Sequence, residues 1–258
     1  MIDALEEYST SFNTRVDNAN IDFIYAITAF VESYSNEDLY VEKKVQQSLM
    51  VRIKNFFAEL IAAMRHFIDS TSIEIDKKVR SAEWDKKLRQ LHRDLHEQKK
   101  QGVTTVRVPD VWAQRDKYLY VVNDLKKIAK RFSNGKYTHI KQIDEDIEKY
   151  NSTMAEYKDE LEEVSKKTIE VNIDKMLEFI EDEVSGRGEI MSSLNDAVAL
   201  LQQMQKDCEL LEKKEMLYGP DLVAKHAGAL RQMGTGISKF IKKWSVKIIS
   251  TAIIIIGS

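Results

Sequence analysis

Residues 140–171, IKQIDEDIEKYNSTMAEYKDELEEVSKKTIEV, decide the fold. Ile140, Ile143, Ile147, Tyr150, Met154, Tyr157, Leu161, Val164, Thr168 and Val171 recur at alternating steps of three and four, and Asp, Glu and Lys fill most positions between them. An apolar period of about 3.5 residues held this long marks a coiled-coil seam, because it keeps one narrow stripe facing a partner helix. The line extends to Met176, Ile180 and Val184 before Ser185-Gly186-Arg187-Gly188 breaks it. A second heptad line runs through Ile190, Leu194, Ala197, Leu201, Met204, Cys208 and Leu211 and stops at Gly219-Pro220. Two such helices joined by a short Gly-containing turn predict an antiparallel helical hairpin over 137–218, with the 140–171 seam packed on 190–211.

On the N-terminal side, Leu5, Tyr8, Phe12, Val16, Ala19, Phe23, Ile27, Phe30 and Tyr34 follow an eleven-residue repeat, which a nearly straight helix can keep on one face. The segment ends near Ser35-Asn36-Glu37-Asp38, where Ser35 is placed to cap a second helix. That second helix carries Val45, Leu49, Ile53, Phe56, Phe57, Leu60, Ile61, Met64 and Phe67 around much of its circumference, as expected of a helix with neighbours on several sides. Thr71 and Glu74 are spaced as a capping box, so the helix either breaks at 69–72 or continues through. Beyond it Ile75, Val79, Trp84, Leu88, Leu91 and Leu95 make a narrower stripe. QGVTTVRVP at 101–109 reads as extended, since its β-branched residues sit between Gly102 and Pro109. Asp110 then caps a helix with Val111, Trp112, Tyr118, Leu119, Val122, Leu125, Ile128 and Phe132, which should stop at Asn134-Gly135.

Composition agrees with helices. The 258 residues include two Pro and nine Gly, too few for the turns of a sheet-rich chain this long. Cys208 is the single cysteine, which excludes an internal disulfide and a multi-cysteine zinc site. MIDALEEYSTSF at the N-terminus lacks a basic n-region, so no secretory signal peptide is expected, and the localisation reading is cytoplasmic or peripheral to a membrane.

The net charge of −3 conceals blocks of −7 (1–76), +10 (77–136), −11 (137–218) and +5 (219–258). Adjacent opposite blocks are expected to satisfy one another inside a helical fold rather than to form an external electrostatic surface. Trp84 and Trp112 fall on apolar stripes, not between basic residues as stacking platforms, so nucleic acid is not an expected partner.

No catalytic or cofactor motif survives inspection. His92-Arg93-Asp94-Leu95 matches the start of a kinase catalytic loop, but Lys99 replaces the metal-binding Asn. His92 and His96 are four apart with no third ligand of similar quality. Cys208 falls on a heptad core position and reads as a small hydrophobe. No cofactor, metal or small-molecule substrate is expected.

The C-terminus departs from an ordinary bundle. A short helix at 222–233 is followed by Gly234-Thr235-Gly236, read as a hinge, and by ISKFIKKWSVKIISTAIIIIGS at 237–258. As a helix this segment places Phe240, Trp244, Ile248 and Ile255 on one broad face, with Lys239, Lys242, Lys243 and Lys247 flanking it. These eight residues are the candidate contact site. Trp and Lys beside an apolar run suit a helix lying on an anionic membrane surface, while burial in the protein's own core or a partner would hide the same apolar surface.

The sequence therefore predicts an all-α protein with a helical bundle region (1–136), a coiled-coil hairpin (137–218) and a hinged amphipathic tail (219–258). The expected function is a non-enzymatic structural or assembly protein that contacts a protein partner or itself through helices. The alternative is a membrane-active helical protein using the cationic tail.

Overall fold

A computed structural model describes residues 2–34, 39–133, 137–176, 178 and 188–257, and most of the described residues are helical. The long helices are α1 (Ile2–Tyr34), α2 (Leu39–Val79), α3 (Ala82–Lys100), α4 (Val111–Ser133), α5 (Ile140–Val164), α6 (Glu189–Tyr218) and α7 (Pro220–Gly257). Two strands, β1 (Thr105–Pro109) and β2 (Thr168–Asn172), pair antiparallel with Val106 opposite Val171 and Arg107 opposite Glu170.

Local chemistry accounts for many boundaries. The Trp84 N–H donates to Ser81 Oγ at 3.1 Å at the start of α3, and the Ala113 N–H donates to Asp110 Oδ1 at 3.0 Å at the start of α4. Gly219 adopts φ +82° between α6 and α7, where a side chain would be strained, and Pro220 opens the next helix. Helix α2 runs through 69–72 without a break, and Thr71 is buried within it.

The eleven-residue stripe of α1 is buried at Leu5, Phe12, Val16, Ala19, Phe23 and Phe30. It meets α2 in antiparallel fashion: the Phe12 ring lies 6.2 Å from Phe67 and the Phe23 ring 5.0 Å from Phe56. Helix α2 buries Ile53, Phe57, Leu60 and Met64 between α1, α6 and α7.

Three expectations are corrected. First, α5 does not continue through Thr168 and Val171. It ends at Val164, and Thr168-Ile169-Glu170-Val171 form β2, in which β-branched residues alternate half-buried and exposed and supply the ladder partner that β1 lacks locally. Second, the principal neighbours of α5 are α4 and α7, while those of α6 are α2, α7 and α4. Among the described residues the two heptad helices are not principal neighbours as the expected hairpin requires, because α6 buries Leu194, Ala197, Val198, Leu200, Leu201 and Met204 on more than one side and needs several neighbours. Third, Gly234-Thr235-Gly236 is not a hinge. Helix α7 is continuous over 38 residues, and Gly234 is buried against Phe57 and Leu60 of α2 and Leu201 of α6.

Among the described residues, α7 is the helix that packs against each of α1 through α6. The tail is the centre of the bundle. The cap at Ser35, the stop at Asn134-Gly135, the apolar positions Ile180 and Val184, and Ser185–Arg187 lie outside the described residues, as do the side chains of Cys208, Leu211 and Ile255.

Candidate functional site

Of the candidate contact residues, Phe240, Trp244 and Ile248 are core, with Trp244 and Ile248 fully buried, and Ile241 and Ile249 join them. Burying each such side chain is worth about 1.5–3 kcal/mol. The four lysines leave this core to either side, two toward α1 and two toward α5.

Toward α1 they form a polar ladder. Arg231 Nη1 and Thr235 Oγ1 donate to Asn20 Oδ1 at 2.7 and 3.2 Å, Lys239 pairs with Asp17 at 2.6 Å, and Lys242 reaches Asn13 and Ser9. Positions 231, 235, 239 and 242 advance by four, four and three, as do 9, 13, 17 and 20 in the opposite order of contact. The same near-3.67 period that keeps the apolar stripe of α1 on one face thus keeps a polar row beside it.

Lys242 is the unusual member, with only 4% of its surface exposed. Its ammonium donates to Ser9 Oγ at 2.7 Å, to the Ser9 carbonyl at 3.2 Å and to Asn13 Oδ1 at 2.9 Å, and it stands 5.2 Å from the centre of the Phe12 ring. These three acceptors match its three N–H donors, but all are neutral oxygens. Burial, with a smaller contribution from nearby Lys239, lowers the Lys242 pKa to about 8.

Toward α5, Lys243 and Lys247 share Glu162 at 3.2 and 2.7 Å, and Lys247 also donates to Ser165 Oγ at 3.0 Å. The hydrogen bond from Lys247 is the largest influence holding the Glu162 carboxyl below its ordinary range, against an opposing effect of burial. Both ammonium groups also lie over the Trp244 ring, at 5.2 and 4.5 Å from its centre. Helices α5 and α7 run parallel here: Asp144 pairs with Lys225, Asn151 with Gln232, and Glu162 with Lys243 and Lys247.

The charge blocks meet as complementary neighbours, with Lys99 on Asp174, Lys117 on Glu160, Lys126 on Asp196, Lys225 on Asp144 and Lys239 on Asp17. His92 and His96 are exposed on α3. Among the described residues no cluster of His, Cys, Asp and Glu could hold a metal ion, and no helix is long and apolar enough to cross a membrane.

Two surface features escaped the sequence reading. Ile21, Ile24, Tyr25 and Val31 on α1 are exposed by 51, 48, 69 and 39%. Ile27 and Val31 border a groove of about 520 Å³ whose other walls include Ile140 and Ile147 of α5 and Ala224 and Gly228 of α7. Ile24 and Tyr25 lie off the eleven-residue stripe, and that departure was the readable sign of a second apolar face. A second cleft, of about 600 Å³, opens between α5 and α7 beside Tyr150, Gly236 and Trp244. No protein-family model, curated protein or solved structure matches the chain.

Proposed function

We propose that the protein is a non-enzymatic structural or assembly component that meets a protein partner through the outer face of α1. The observation that carries this reading is the clustering of Ile21, Ile24, Tyr25 and Val31 on the solvent side of one helix, next to a groove with mixed apolar and charged walls, in a bundle that hides its more apolar tail. Large exposed apolar patches on soluble proteins are characteristic of contact surfaces. Asp22 and Glu32 are exposed on the same helix, a charge that suits a basic amphipathic helix and repels anionic lipid.

The test is native sizing of the full chain in extracts of cells that express it, followed by the same measurement on Ile24→Asp/Tyr25→Asp. The wild type should run in an assembly larger than its 29.9 kDa mass, and the double variant should fall to monomer with its melting temperature unchanged. A wild type that runs as a monomer, or an assembly that ignores the substitutions, overturns the reading.

A second reading, membrane activity through α7, rests on Lys242. A lysine held by neutral oxygens in a core is costly there, whereas the same residue on a released cationic helix would face anionic headgroups. Its test is leakage of anionic vesicles by the full chain, expected to weaken with salt and with Lys239, Lys242, Lys243 and Lys247 changed to Gln. Absence of leakage in low salt removes this reading.

A further inference from the structure

We propose that the cleft between α5 and α7 binds a free, single-chain anionic amphiphile, an acyl chain ending in a carboxylate. The cleft is about 600 Å³, within the range of small-ligand sites. Its apolar lining comes from Met154 and Ala155 of α5 and from Gly236, Phe240 and Trp244 of α7. At Gly236 the Tyr150 phenol packs directly on the α7 backbone and forms part of the cleft wall. The lining runs from Tyr150 to Asp159 along α5 and from Gln232 to Trp244 along α7, two helices that lie parallel here.

The rim selects the sign of the head group. Lys158, Lys239 and Lys243 line the cleft against one carboxylate, Asp159. Lys158 is exposed and makes no ion pair among the described residues. Lys239 is held by Asp17, while Lys243 must share Glu162 with Lys247, so the pairs around the cleft leave a positive surplus that an anion would neutralise. A second observation is independent of charge: Trp244 lines the cleft, is fully buried, and its indole Nε1 has no hydrogen-bond acceptor. A buried donor without an acceptor is uncommon in a folded protein.

The experiment is calorimetric titration of the full chain with monomeric dodecanoate, with dodecyltrimethylammonium as the chain-matched cation. Dodecanoate should bind one to one and the cation should not. Lys158→Glu/Lys243→Glu should weaken dodecanoate about tenfold or more, since two favourable charges become unfavourable. Ala155→Trp, at an exposed helical position, should abolish binding by filling the cleft while leaving the melting temperature in place. Absent dodecanoate binding, equal binding of both amphiphiles, or binding indifferent to Ala155→Trp would overturn the proposal. Should the charge-reversed variant fail to fold, Lys158→Gln alone serves, with a loss of severalfold expected and an unchanged affinity counting against the site.

Discussion

The phenol of Tyr150 on α5 lies against the backbone of α7 at Gly236, its hydroxyl occupying the space that a β-carbon at 236 would need. Tyr150 is buried, its hydroxyl is directed at the Met233 carbonyl at 3.5 Å, and burial raises its pKa. A glycine in mid-helix is normally a weakness of about 1 kcal/mol relative to alanine, and here it is the condition for two parallel helices to approach. Gly236→Ala should therefore destabilise the protein by about 1–3 kcal/mol in chemical unfolding, despite the gain in helix propensity. Tyr150→Phe removes the clashing oxygen, so the double variant should recover part of the loss. Strict additivity of the two changes would show that the contact is not the cause.

Lys242 predicts a pH dependence. Its folded pKa, lowered to about 8, lies below that of an unfolded lysine, so between those values the unfolded chain binds more protons and stability rises with pH. Allowing for solvent screening, the gain is on the order of 1 kcal/mol, or about 2–4 °C in melting temperature. Tyr137, Tyr150 and Tyr157 have raised pKa values, so their contribution is lost above the ordinary tyrosine pKa and closes the window near pH 10. Melting curves from pH 8 to 10 should show the rise in the wild type and a flatter profile in Lys242→Met. Identical slopes would mean that the buried ammonium does not titrate there.

Truncation after Gly234 tests the central place of α7. The shortened chain lacks Ile241, Trp244 and Ile248, all fully buried, and should lose cooperative thermal unfolding and near-ultraviolet circular dichroism. A truncated chain that melts as sharply as the intact one, and is more soluble, would place the segment outside the core.

Leu161, buried on α5, is the position to test the seam. Leu161→Asp should cost about 3 kcal/mol or more, because a carboxylate replaces a packed side chain, while Lys158→Ala one turn away should change stability by less than about 0.5 kcal/mol. Equal effects in urea unfolding would mean that the seam is not buried.

Helicity, the stripe of α1, the Asp110 cap, the extended run before Pro109 and the stop at Gly219-Pro220 were all legible in the residues, because each depends on interactions within a few positions of the chain. The heptad seam at 140–161 was legible as an apolar face, but the identity of its partner was not. A stripe specifies that something must cover it, and both α6 and α7 carry apolar surface enough to do so. Thr168-Ile169-Glu170-Val171 fits a period of two as well as an alternation of three and four over so short a run, and only the presence of β1 across the chain resolved it.

The same limit applies to the tail. Its need to be hidden follows from Ile248 to Ile253 alone, since so much apolar surface is unfavourable in water. Whether lipid or protein hides it turns on contacts more than two hundred residues apart in sequence, such as Lys239 with Asp17 and Lys242 with Asn13, which no local pattern encodes. Hydrophobic free energy is non-directional and determined that α7 would be covered. The directional polar ladder with α1, the shared Glu162 on α5 and the fit of Gly236 to Tyr150 determined by what, and these exist only once the helices are assembled.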